Sequence, residues 1–233
     1  MKVSLSRQTN QALTRVEVLM ICVSFIGIVL ILGILPIRQH PKDYGRVYTD
    51  VERLHEFSSG IKIWAGDHND KYPMQLSGVF GGTLELMNTP DAWKIFQVLS
   101  NEVSPYDLVC PKDASRPRCA TNFTNDLKNK ISYFIAADAT DEDPQTLVAG
   151  DDNFLLNQSP VTSGHLVNVT SPTQLEWDGH RHGSFKKIWF TKPKKFGAGY
   201  VLLADGSVQE VTDTGLTNLL YNSHAGTNRL FIP

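Results

Sequence analysis

No phosphate-cradling glycine loop, no nucleophile elbow and no zinc-ligand signature occurs in the 233 residues. Their absence argues against an enzyme of those classes. Charge of one sign is missing too. The 22 Lys and Arg stand against 24 Asp and Glu, a net charge of −2, so nothing draws the whole chain to nucleic acid or to an acidic surface. Cysteine is scarce, at three residues. Cys22 lies in an apolar run, which leaves Cys110 and Cys119 as the pair able to form a disulfide in an oxidising compartment. Two buried thiols are the alternative reading.

What is abundant is apolar: 41% of the chain is hydrophobic, enough for one soluble domain beside one anchor. From Val16 to Leu35 the strongly polar residue is Glu17. The stretch is about 20 residues, or about 30 Å as a helix, the thickness of a bilayer core. A cleaved secretory signal has a shorter apolar region and a small-x-small site, which "ILGILPIRQH" does not offer. Basic residues flank both ends, Lys2, Arg7 and Arg15 before, Arg38, Lys42 and Arg46 after, so the positive-inside count is a tie. A carboxylate in such a run costs about 2.5–3.5 kcal/mol to insert and calls for a partner.

The order of a basic leader, Ala12, Leu13, Thr14, two further positions, Glu17 and an unbroken apolar run resembles the class III signal of type IV prepilins and type II secretion pseudopilins. Alanine stands where that family usually has glycine, and Arg15 where it is usually apolar. The resemblance implies cleavage by a prepilin peptidase between Ala12 and Leu13 and methylation of the new amine. It also implies that Glu17 neutralises the N-terminus of a neighbouring pseudopilin or pilin subunit during assembly. A carboxylate and an ammonium offset each other's desolvation only in good geometry, so the pair would favour one register between subunits. The expected placement is a single pass through the inner membrane with the C-terminal domain in the periplasm.

Downstream, Val47, Val51, Leu54, Phe57 (or Ser58), Ile61 and Trp64 recur at three- and four-residue steps, which predicts a helix to about Ala65. Pro36 and Pro41 predict a kink. "AGDHNDKYP" ends the helix. A second helix is predicted over "PDAWKIFQVLSNE" and short strands over "DLVC", "ISYFIAAD", "TLVAGDD" and "GHLVNV". "GAGYVLLADGSVQEVT" reads as a hairpin turning at "DG", and "TDTGLTNLLYNS" as a closing helix capped by Thr212 or Asp213.

The expected fold is α+β and pilin-like, a long N-terminal transmembrane helix packed on an antiparallel sheet. Its parts are a leader at 1–12, a spine helix at 13–66 spanning the membrane over 16–35, and a globular domain at 67–233. The succession of "IWAGDHNDKYPMQ", "CPKD", "ISYFIAADATDEDPQTLVAGDDN", "LLADGSVQEVT" and "NRLFIP" resembles a large bacterial group of pseudopilin-like proteins with the same leader.

Three clusters are candidates for chemistry. "DATDEDPQTLVAGDD" gathers Asp138, Asp141, Asp143 and Asp151, hard oxygen ligands that could hold Ca²⁺; the alternative is a solvated acidic loop. His180 and His182, with Asp178 and Asp205, have the spacing of two metal-binding imidazoles on one strand face, against which stands a reading as surface turn residues. "FKKIWFTKPKKF" interleaves lysines with aromatics, a pattern that can bind single-stranded nucleic acid but reads better as an exposed loop, so no nucleic-acid partner and no cofactor are expected. The functional reading is a pseudopilin-like fibre subunit for type II protein secretion. The alternatives are a type IV pilus subunit and a membrane-anchored periplasmic binding protein.

Overall fold

The computed structural model describes residues 16, 18–20, 23–24, 42–110, 113, 116, 119–124, 126–161, 164–171, 174–178, 184–186, 194–223 and 228–233. The chain divides into two units, Met1–Pro41 and Lys42–Pro233. In the first, Val16, Val18, Leu19, Met20, Val23 and Ser24 are helical with exposed side chains.

The second unit begins with helix α1 (Lys42–Gly66). Its apolar residues fall on one stripe, and Leu54, Phe57, Ile61, Trp64 and Ala65 are buried, as the period of 3.6 demands. The stripe packs on strands β9 (Ala198–Leu203) and β10 (Val208–Thr212) of a sheet built further along the chain. After Gly66 the backbone turns left-handed at Asn69 and Asp70 (φ 59° and 57°), and the His68 ring stacks on Trp64 with centroids 3.6 Å apart.

Between helix and sheet the chain runs through short turns. Short 3₁₀ segments Pro73–Gln75, Gly78–Phe80 and Leu84–Leu86 follow α1. Helix α2 is only Ile95–Val98, preceded by a 3₁₀ turn at Ala92–Lys94, so the predicted long second helix is broken. The expected strand at "DLVC" is instead a 3₁₀ helix, Pro105–Leu108. Ser104 accepts a hydrogen bond from the Tyr106 amide at 3.2 Å, and Pro105 sits at its first turn, a helix-start pattern that outweighs the β-type residues beside it.

The remaining strands are β1 (Tyr133–Ala136), β2 (Leu147–Asp151), β3 (Phe154–Leu156), β4 (Ser159–Pro160), β5 (His165–Val169), β6 (Leu175–Trp177), β7 (Ser184–Lys186), β8 (Lys194–Phe196) and β11 (Asn228–Ile232), with helix α3 (Asp213–Asn222) before β11. The main sheet has the order β10-β9-β2-β1-β11-β5 and is antiparallel throughout. β1, β2 and β9 are buried along their length, so both faces of its middle are covered. A small sheet β4-β3-β6 joins the same core through stacked Phe154 and Trp177 (centroids 4.7 Å) and through Phe134 against Phe154 (5.2 Å). β7 and β8 pair with each other. The β9–β10 hairpin turns at Asp205-Gly206, where Gly206 takes φ 91°, open to glycine at no steric cost. Thr212 caps α3 by accepting from the Gly215 amide at 3.4 Å.

The fold is therefore α+β with an antiparallel sheet, but its spine differs from expectation. The helix on the sheet carries Lys42, Asp43, Arg46, Asp50, Glu52, Arg53, Glu56 and Lys62. Among the described residues no helix is long and apolar enough to cross a membrane. That finding corrects both the transmembrane spine helix and the single-pass inner-membrane placement expected above. Most of the expected span 16–35, and the kink at Pro36 and Pro41, lie outside the described residues.

The Phe57 side chain is buried between helix and core, with its ring centroid 5.7 Å from that of Phe96. Phe57→Ala should lower stability by about 3–5 kcal/mol in urea unfolding. The exposed Ile63→Ala, on the same helix, should cost less than about 1 kcal/mol.

Candidate functional site

Asp138 follows β1 and faces Arg229 on β11. The Arg229 amide donates to Asp138 Oδ2 at 3.0 Å, and its guanidinium donates to both carboxylate oxygens, from Nε at 2.9 and 3.1 Å and again from Nη2. The hydrogen bonds to Asp138 hold the guanidinium's pKa above the ordinary value, against a smaller opposing effect of burial. This pair lies in the wall of an open cavity of about 490 Å³ that Thr140, Glu142, Asp143 and Leu147 also line.

The other acidic residues have separate partners. Asp141 accepts from the Tyr72 hydroxyl at 3.1 Å. Asp143 accepts from the Gln145 amide at 3.1 Å, closing a local turn. Asp151 is fully buried and accepts from the Tyr200 amide at 2.8 Å. Asp138, Asp141, Asp143 and Asp151 do not converge: among the described residues no three His, Cys, Asp or Glu side chains come close enough to hold a metal ion. Nor is the stretch simply a solvated loop, because Asp151 and Asp152 are both buried.

The density of buried charge lies elsewhere. Arg116 is buried between Asp113 and Asp152, with Nη1 2.8 Å from Asp113 Oδ2 and Nη2 2.7 Å from Asp152 Oδ2. It also donates to the carbonyl of Pro233 at 3.3 Å. Ser132 donates to Asp113 at 2.9 Å, and its carbonyl accepts the Asp152 amide at 3.0 Å. Burial disfavours the charged guanidinium, yet Asp152 and Asp113 outweigh it and raise its pKa. This clamp ties the turn after Cys110 to β1, β2 and β11.

A second polar group sits under α1. Asp50 and Arg53 are buried on its sheet-facing side, where Arg53 donates to the Val109 carbonyl and lies 4.5 Å from the Tyr106 ring centroid. Spacing alone puts both on the apolar stripe, Asp50 four residues before Leu54 and Arg53 four before Phe57, but a search for apolar periodicity passes over charges that stand there.

Cys110 and Cys119 are both thiols, the first buried and the second half-buried. Asp205 is the turn residue expected of it, accepting from the Ser207 amide at 2.8 Å. The Asp178 amide donates to the Asn153 carbonyl at 2.6 Å. Ala12, Leu13, Glu17, His180, His182 and the side chains of the lysine-rich stretch lie outside the described residues.

Removing the clamp's cation should be costly. Arg116→Met leaves two carboxylates buried together and should cost about 3–5 kcal/mol at pH 7. The gap from the parent should narrow as the pH is lowered, because protonation removes the charge of two buried carboxylates that have lost their cation; equal unfolding free energies at pH 7 would contradict the assignment.

Tyr72, Tyr133 and Tyr200 make a second prediction. Burial pushes all three hydroxyls above their ordinary value of 10.0, aided by Asp141 at Tyr72, by Cys110 and Asp151 at Tyr133 and by Glu210 at Tyr200. A raised folded-state pKa contributes stability that is whole below pH 10.0 and is lost as pH rises beyond it. Three of the seven tyrosines should thus ionise only as the chain unfolds, which an ultraviolet titration alongside circular dichroism would register as a coincident step.

No protein-family model, no curated protein and no solved structure matches the chain.

Proposed function

We propose that the chain is a pseudopilin-like structural subunit of a type II secretion fibre. A prepilin peptidase cuts it between Ala12 and Leu13, and its N-terminal segment joins it to other subunits of the pilin kind. The observation that carries this reading is the succession of parts. A leader signature and an apolar run precede an amphipathic helix, Lys42–Gly66, whose buried stripe rests on an all-antiparallel sheet.

The state of the polar residues supports the same reading. Asp138 is engaged by Arg229, Asp113 and Asp152 by Arg116, and Asp151 by a backbone amide. These groups hold strands and turns together. The working parts of such a protein are its surfaces and its N-terminal segment.

Within the proposal Glu17 acts between subunits. Its carboxylate neutralises the amine of Leu13 on a neighbour, and breaking that pair from one side leaves an uncompensated charge at a packed interface, worth about 3–5 kcal/mol.

Mass spectrometry of the protein from peptidase-competent cells should find Leu13 as the first residue. Intact Met1 in such cells would contradict the proposal. Glu17→Gln should be cut normally but fail to form cross-linkable ladders, since it keeps polarity and loses charge; ladders like those of the parent would remove Glu17 from assembly.

A further inference from the structure

The segment after α1 exposes apolar side chains in a way that chance surface composition does not explain. Val79 is 87% exposed, Phe80 70% and Leu84 47%. Single exposed apolar residues are ordinary, but here three fall within six positions.

The backbone that carries them is tightly held. The amides of Phe80 and Gly82 donate to the Ser77 carbonyl at 2.9 and 3.0 Å, Gly81 to Gly78 at 3.1 Å, Thr83 to Pro73 at 2.7 Å and Leu84 to Leu76 at 2.9 Å. The Glu85 carboxylate accepts the Gly78 amide at 2.9 Å. A Cβ at Gly82 would lie 2.0 Å from the Leu76 carbonyl oxygen, and Gly81 takes φ 82°, so the loop has been given the two glycines its shape requires. Val79 and Phe80 are therefore presented on a fixed frame, and a contact through them would not have to order a mobile loop.

The same chain carries a surface of matching chemistry. Strand β5 ends the main sheet, and among the described residues one of its backbone edges has no neighbouring strand in that sheet. Beside it an open groove of about 450 Å³ is lined by Leu156, Pro160, Val161, Leu166 and Val167, together with His165 and the polar Ser159 and Asn168. Phe80 is too exposed to be seated in the groove of its own chain. Glu85 stands beside the apolar tip and exposed His165 beside the groove, so the two rims offer a carboxylate acceptor and an imidazole donor.

We infer that Val79 and Phe80 of one copy dock in the β5-edge groove of a second copy of this chain. The contact joins unlike surfaces, so it is head-to-tail, and repeated without ring closure it propagates a filament. This inference rests on the fibre reading and supplies it with a contact between globular domains, distinct from the N-terminal pairing.

Benzoylphenylalanine in place of Phe80, in the full chain in cells, tests the contact. Ultraviolet irradiation should join two copies, linking position 80 to a peptide from within 154–168. Pro160→Glu, an exposed change in the groove, should lower the yield of that adduct by about tenfold, the effect of about 1.4 kcal/mol at the interface. Ser159→Glu on the same strand should act in the same direction, and the thermal midpoints of both variants show whether the fold is kept. Adducts elsewhere on the chain, adducts with other proteins alone, or no adduct would each overturn the inference. The peptide joined at position 80 reports this contact, whereas ladder length in Glu17→Gln reports the N-terminal one, so either reading can fail without the other.

Discussion

Strand β11 lies between β1 and β5, pairing Phe231 with Ile135 on one side and with Leu166 on the other. The rest of the structure depends on that insertion. Without β11 the sheet stops at β1, β5 has no neighbour in it, and Arg229 is withdrawn from Asp138. Pro233, just beyond, receives a hydrogen bond from Arg116, so the buried clamp also depends on it. Pairings this distant in sequence close long loops before they return any stabilisation, which makes the sheet's far half the slow, cooperative part of folding.

The buried charges follow from the same topology. Asp152 ends the β1–β2 hairpin inside the protein, and a carboxylate there is tolerable only beside a cation with further hydrogen bonds around it. Arg116 supplies the cation, Asp113 a second anion, and Ser132 a bond that fixes Asp113. Arg53 on α1 has a comparable function at smaller scale, linking the helix to the Val109 carbonyl and the Tyr106 ring. These charges select one arrangement of turns over others that the apolar core alone would permit.

What could be read from the sequence was what local physics decides. The α1 stripe Leu54, Phe57, Ile61 and Trp64 announces itself by spacing, the β9–β10 turn by Asp205-Gly206 and the cap of α3 by Thr212. Failures came where distant partners decide. "NRLFIP" has no alternation to mark it as a strand, and its place inside the sheet comes from neighbours far away in the chain. Asp151 and Asp152 looked solvated because they close an acidic run, and their partners, the Tyr200 amide and Arg116, lie 49 and 36 positions away. At "DLVC" a helix start at Ser104-Pro105 overrode β propensity. The apolar run suggested a spanning spine, yet the helix that rests on the sheet is the charged segment after it.

The proposed fibre rests, in its globular part, on the exposed Val79–Phe80 tip and the groove beside β5. Electron cryo-microscopy of the protein after cleavage at Ala12 tests that account most directly. It predicts filaments in which the β5 edge of each subunit receives the Val79–Phe80 tip of the next. Fully cleaved protein that remains as discrete particles, without filaments at any concentration, would contradict it.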